Sequence, residues 1–303
     1  MTRHVRFVLL AVLLVIVLSL CIGVLIARAD CSGYVVQPGD TLYRIARANG
    51  TTWQELARVN GLTSPDRIYI GQCLLLGVEQ ISSVKGLAMA DWGHSEDLLS
   101  LNVAWYYGWG EYCTGDARCI NMVRNMQLPQ TCYTVLLVGN EPNAVEPYGA
   151  PVSPGEAAKK IKAIEAQCPA TKLIVGNVSA DDWGNGNGAE WLKAFLREYK
   201  RLTCRVYSQT LGVHCYQIQS GWCIGQLAAM RRVYSGEMWL TEYNDLSGDV
   251  NNFVALTDYA FANFSGVALY TNRQPDAPWA LNGASVIMPD GSLDARGVYY
   301  AQR

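Results

Sequence analysis

Two apolar runs each deliver a carboxylate at the same relative place: Leu136-Leu137-Val138-Gly139-Asn140-Glu141-Pro142-Asn143 and Met238-Trp239-Leu240-Thr241-Glu242-Tyr243-Asn244. Two glutamates brought together from separate strands can do what neither does alone. One, kept protonated by burial and by its neighbour's charge, gives a proton to a leaving oxygen while the other attacks or activates water. Cleavage of a glycosidic bond needs this arrangement, with the carboxyls about 5 to 5.5 Å apart when configuration is retained through a covalent intermediate. Other chemistries find little to run on. The chain holds no G-x-x-x-x-G-K-[ST] phosphate loop, no H-E-x-x-H metal motif and no G-x-S-x-G nucleophile elbow. With three histidines (His4, His94, His214) and no C-x-x-C pair, neither a metal nor a cofactor is expected.

Both glutamates need rigid elements to hold them. Residues 81–303 alternate short apolar runs with amphipathic stretches. The runs read as strands at Gly86–Ala90, Asn102–Tyr106, Ile120–Arg124, Val135–Gly139, Lys172–Gly176, Leu211–Cys215, Glu237–Thr241 and Gly266–Tyr270. Between them, Ser153-Pro154-Gly155-Glu156 is a capping box with proline in the first turn, and Trp191–Leu202, Gln226–Tyr234 and Asn252–Phe264 read as further helices. Strand-then-helix repetition through eight strands predicts an α/β fold, the (β/α)8 TIM barrel. A barrel gathers its chemistry where its strands end, at the C-terminal face. There stand Asp91 after the first strand, Asn140 and Glu141 after the fourth, His214 at the end of the sixth and Glu242 after the seventh. The two glutamates are thus expected to face each other across the barrel mouth.

Ahead of the barrel, residues 33–76 read as a small strand-helix-helix-strand unit. Tyr34–Val36 ends at the turn signal Pro38-Gly39-Asp40, Asp40 or Thr41 caps a helix carrying Leu42, Ile45 and Ala46, and Thr52 with Glu55 caps a second helix. A unit of about forty residues wants a staple, and Cys31 with Cys73 bracket it. Cys113 and Cys119 can close one loop, while Cys132 and Cys168 each precede a strand, at the same end of neighbouring strands. Phe7–Ala27 has no charge in 21 positions and follows Arg3 and Arg6, so it reads as an apolar helix able to cross a bilayer. Ala27-Arg28-Ala29 is equally a cleavage site, leaving residues 1–29 as membrane anchor or signal peptide. Either way the remainder is exported, which suits ten cysteines.

The small unit, through "VQPGDTLYRIA", "ARVNGL" and "IYIGQCLLL", resembles the LysM module. That resemblance implies binding of N-acetylglucosamine-containing glycan by Asp40, Thr41, Leu42, Asn60, Gly61, Leu62 and Ile68. The large domain resembles the clan A glycoside hydrolases, in particular the family 128 type of endo-β-1,3-glucanase. Its marks are "WYYGWG" (Trp105–Gly110), "LLVGNEPN", "VHCY" (Val213–Tyr216) and "WLTEY" (Trp239–Tyr243). The resemblance implies Glu141 as general acid/base and Glu242 as nucleophile, Asn140 on the sugar 2-hydroxyl, and His214 and Tyr216 as support. Trp105, Tyr106, Tyr107 and Trp109 would offer stacking faces, with Tyr270 and Trp279 also facing sugar. The chain departs from that pattern at Gly108, at Met122-Val123-Arg124 and at Cys215, changes that touch the subsites more than the glutamates.

Twenty-four Lys plus Arg against 26 Asp plus Glu give a net charge of −2, so nothing attracts nucleic acid by charge. The expectation is a secreted or membrane-tethered retaining hydrolase of β-linked polysaccharide, held on the wall by LysM. The alternative is a noncatalytic wall-binding or scaffolding protein with a degenerate barrel.

Overall fold

A computed structural model of the chain describes residues 34–48, 53, 56–57, 60, 62, 67–74, 84–113, 115–146, 148–180, 187–217, 220–273 and 283–303. The expectations for residues 1–29, Cys31, Gly61 and Trp279 lie outside the described residues. Two compact units result, one holding the described residues up to Leu74 and the other those from Val84 onward.

In the first unit, β1 (Tyr34–Val35) pairs antiparallel with β2 (Cys73–Leu74), and α1 (Leu42–Ala48) follows the turn at Gly39, whose φ of 85° suits a residue without Cβ. Its core is Val36, Leu42, Ile45, Ala46, Leu56, Ala57 and Leu74, all buried.

The second unit is a closed barrel of eight parallel strands, in which strands consecutive in sequence lie side by side and the last closes on the first. The strands are β3 (Lys85–Ala88), β4 (Trp105–Tyr107), β5 (Cys119–Val123), β6 (Val135–Val138), β7 (Lys172–Ser179), β8 (Thr210–Gln217), β9 (Met238–Asp245) and β10 (Gly266–Tyr270). The helices are α2 (Asp97–Ser100), α3 (Pro154–Gln167), α4 (Gly188–Thr203), α5 (Ser220–Val233), α6 (Val250–Asn263) and α7 (Ala295–Gln302). Side-chain oxygens start four of them: Ser153 accepts from Glu156 N, Asn187 from Ala189 N, Asp249 from Asn251 N and Asp294 from Gly297 N. The described residues between β4 and β5, and between β5 and β6, hold no helix.

Strand alternation sorts the apolar residues into two layers. Leu136, Val138, Leu173 and Val175 face outward onto Ile161, Ile164, Leu192 and Phe195 of the helices. Trp105, Tyr107, Met122, Leu137, Ile174, Trp239 and Ala268 fill the inside. Trp105 and Trp239, with ring centroids 4.8 Å apart, plug the end where the strands begin. Gly86 and Gly266 make room for them, since a Cβ on either would come within 2.2 Å of an indole carbon.

Four strands run past their expected ends, β4 by Tyr107 alone, and two of them, β7 and β9, carry bulges. On β7 the pairing with β8 steps from Gly176↔Gly212 to Val178↔Val213, leaving Asn177 as the extra residue. On β9 it steps from Leu240↔Val213 to Glu242↔His214, leaving Thr241 as the extra residue. Glu242 therefore lies within β9 and not after it. Trp239 points inward and Leu240 outward, so without the bulge Glu242 would point outward too; the extra residue re-aims it into the barrel.

Cys113–Cys119 and Cys132–Cys168 are disulfides, and Cys73 is disulfide-bonded. Cys215–Cys223 is a further bridge, and Cys204 is free and exposed.

Candidate active site

Glu141 follows β6 in a kink. Gly139 has a φ of 91° and Glu141 itself a φ of 45°, a left-handed conformation that costs a non-glycine residue free energy and must be held by its surroundings. The hold comes from β7: Glu141 N donates to Asn177 O at 2.9 Å, Asn143 Nδ2 donates to Ser179 O at 2.9 Å, and Ser179 N donates back to Asn143 Oδ1 at 3.0 Å.

Glu242 points in from β9 and is 3 % exposed, against 6 % for Glu141, so both carboxyls sit away from bulk water. Tyr107 OH donates to Glu242 Oε1 at 2.6 Å, Trp109 Nε1 donates to the same oxygen at 2.9 Å, and Tyr216 OH donates to Oε2. Burial pushes the Glu242 carboxyl up to about 7, and the Glu141 charge adds to the rise; His214 and the donors Tyr107 and Trp109 oppose it.

His214 is fully buried between the two glutamates, Nδ1 at 3.0 Å from Glu141 Oε1 and Nε2 at 3.4 Å from Glu242 Oε1. The second contact is within ion-pair range but out of line for a hydrogen bond. Burial lowers the His214 pKa and so favours the neutral ring. A neutral imidazole has one N–H and one lone pair. It matches two flanking carboxyls best when one of them carries a proton and the other does not. The site thus suits one acid and one base.

The other expected residues divide. Tyr216 and Tyr270 are buried beside the pair, ring centroids 5.2 Å apart, and Trp109 is part-exposed 5.9 Å from Tyr270. Asn140 Oδ1 is buried with no hydrogen-bond partner. Tyr107 is fully buried and serves Glu242 through its hydroxyl instead of offering a ring face. Trp105 and Tyr106 offer no face to a ligand at the mouth. Trp105 lies at the far end of the barrel, with Nε1 on Val84 O, and Tyr106 points outward to Asp116. Alternation along a strand separates neighbours in sequence, which a reading of "WYYGWG" as one aromatic cluster overlooks. Asp91 accepts from Gly93 N and contacts His94 at 2.8 Å, apart from the pair.

In the small unit, Asp40 accepts from Tyr34 OH and Gln37 N, both at 2.7 Å, and Thr41 Oγ1 accepts from Arg44 N at 3.2 Å. Leu42 is 4 % exposed and belongs to the core. Asn60 Nδ2 donates to Leu56 O at 2.8 Å, and Leu62 and Ile68 are half-buried.

Sequence reasoning missed Asn177 and Tyr107 as partners of the glutamates. A signal for Asn177 was present: Gly176-Asn177 repeats Gly139-Asn140 at the ends of adjacent strands.

A parallel eight-stranded barrel with two buried glutamates facing each other inside its C-terminal end defines a glycosidase-like α/β barrel. Residues 86–264 match the family described as glycosyl hydrolase catalytic core, and the chain belongs to that family. Residues 34–77 match the LysM domain. Among solved structures, a GH128 (subgroup II) endo-β-1,3-glucanase from Sorangium cellulosum is 21 % identical with a TM-score of 0.52, covering 72 % of this chain and 98 % of its own. A subgroup IV endo-β-1,3-glucanase from Lentinula edodes is 16 % identical with a TM-score of 0.57, covering 72 % and 99 %. A subgroup VII oligosaccharide-binding protein from Cryptococcus neoformans is 17 % identical with a TM-score of 0.51, covering 73 % and 93 %. At these identities the likeness is one of fold. The uncharacterized lipoprotein YgeR of Escherichia coli (strain K12) is 44 % identical over 82 residues, 23 % of this chain and 32 % of its own length. The chain thus spans about a third of that curated relative.

Proposed function

We propose that the protein is a retaining glycoside hydrolase that cuts β-1,3-linked glucan, with Glu141 as general acid/base and Glu242 as nucleophile. The observation that carries this reading is the buried Glu141–His214–Glu242 row, in which one imidazole contacts both carboxyls. Glu242 receives donors from Tyr107, Trp109 and Tyr216, which aim its carboxylate and offset part of the cost of burying its charge. Its oxygen attacks the anomeric carbon while the Glu141 proton passes to the leaving oxygen; water then adds to the glycosyl-enzyme with Glu141 taking its proton. Asn140 Oδ1, unpartnered in the protein, accepts from a sugar hydroxyl, and Trp109 and Tyr270 supply ring faces.

In this reading the LysM domain holds the enzyme on N-acetylglucosamine-containing glycan. The LysM domain and the disulfides support a place outside the cytoplasm, secreted or tethered through residues 1–29. The test is release of reducing ends from laminarin, chitin, cellulose and peptidoglycan by the full chain. Hydrolysis of laminarin with the β-anomer formed first in NMR is expected. An α-anomer would take the nucleophile role from Glu242, and binding without product would replace the enzyme by a glycan-binding protein.

A further inference from the structure

The two bulges are not independent. Thr241 Oγ1, on the extra residue of β9, donates to Asn177 Oδ1, on the extra residue of β7, at 2.7 Å. Strand β8 lies between them. The bond passes over Gly212 of that strand, where a Cβ would stand 2.0 Å from Asn177 Oδ1. Both residues are fully buried.

Each member of the pair also reaches a glutamate. Asn177 Nδ2 donates to Gly139 O at 2.8 Å, and Asn177 O accepts from Glu141 N at 2.9 Å, so the residue grips the kink before and at Glu141. Asn177 has a φ of 47°, left-handed like Glu141, and it follows Gly176 at φ 96° as Asn140 and Glu141 follow Gly139 at φ 91°. The ends of β6 and β7 are therefore bent alike and joined at the bend. Asparagine is among the few residues with a side chain that enter this conformation readily. On the other side, Thr241 directly precedes Glu242, and its carbonyl oxygen lies 3.0 Å from Tyr107 OH, the same hydroxyl that donates to Glu242.

We propose that the Asn177–Thr241 hydrogen bond is the positioning device that sets the two glutamates relative to each other, by locking the β7 and β9 bulges across Gly212. This rests on the reading of Glu141 and Glu242 as the acid/base and nucleophile. Neither residue touches substrate. Asn177 acts through the backbone of Gly139 and Glu141, and Thr241 through the turn that aims Glu242 inward.

The test compares full-length Asn177→Ala, Thr241→Val and Thr241→Ser with the parent on laminarin. Thr241→Val keeps shape and removes the donor, so it reads the bond even where Asn177→Ala fails to fold. Expected is a fall in kcat of roughly 10- to 100-fold with KM within about twofold in the folded variants, and recovery to within about threefold in Thr241→Ser. Thr241→Val with a lowered melting temperature and unchanged kcat overturns the proposal, because that result makes the bond structural only. A parent that releases no sugar from any glycan defeats the enzymatic reading, and the pair is then read from the carboxyl ¹³C titration of Glu242. A midpoint displaced by about one pH unit in Thr241→Val upholds the device; one at the parent value overturns it.

Discussion

His214 presents Nδ1 to Glu141 Oε1 at 3.0 Å, and the same ring reaches toward Glu242 with Nε2. A single side chain thereby orients both carboxyls, and burial, by lowering its pKa, favours the neutral ring. Replacing His214 by Ala removes the bridge and leaves a cavity between two buried acids. Turnover on laminarin is expected to fall by roughly 10²-fold, more than KM changes, when initial rates are measured across substrate concentration.

Tyr107 sets how readily Glu242 ionises. Its hydroxyl stabilises the Glu242 anion, so Tyr107→Phe raises a carboxyl pKa that already stands at about 7. A nucleophile must be ionised, hence activity is lost as pH falls through this value. The acid limb of kcat/KM should move up by roughly one pH unit in Tyr107→Phe, and the loss at pH 6 should exceed the loss at pH 8. Equal losses at both values would detach Tyr107 from the ionisation of Glu242.

Burial of Glu242 also has a cost in stability. Its pKa rises from 4.5 to about 7 on folding, so the folded state binds the proton more tightly than the unfolded state. The associated stability is fully present below 4.5 and is lost as pH rises through 7, about 3 kcal/mol for this group. Glu242→Gln carries no charge to bury. Its denaturant midpoint should match the parent near pH 4 and exceed it near pH 8, and a constant difference between the two pH values would refute this.

The disulfides should differ in weight. Cys132–Cys168 spans 36 residues and Cys215–Cys223 spans 8. Loop-closure entropy assigns about 4 kcal/mol to the first and about 2.5 kcal/mol to the second. Paired Cys→Ala variants, unfolded in urea, should preserve that order.

The barrel was legible because its strands are short apolar runs with regular spacing, and Glu141 and Glu242 were legible because each ends or interrupts such a run. What escaped the sequence depends on register. The run "GVALY" marks β10 to the residue, whereas the apolar pattern of β9 stops at Thr241, since no composition rule marks a bulge that continues a strand through Glu242 to Asp245. Adjacency in sequence likewise suggests one sugar platform of Trp105, Tyr106, Tyr107 and Trp109. Alternation instead sends Trp105 to the barrel floor, Tyr106 to the outside and Tyr107 to Glu242. The repeat of Gly139-Asn140 in Gly176-Asn177 marks Asn177, but its bond to Thr241 depends on the bulges of β7 and β9 beside Gly212, which no residue pattern announces. Cys215–Cys223 is hidden because a separation of eight from a strand to the following helix carries no pairing signal of its own.

Turnover of laminarin by Glu141→Gln and Glu242→Gln tests the central claim most directly. Each exchange keeps the shape of the buried side chain and removes its ability to ionise. Reducing-end release is predicted to fall by roughly 10³-fold or more in both folded variants. Two variants that hydrolyse laminarin at the parent rate would contradict the account.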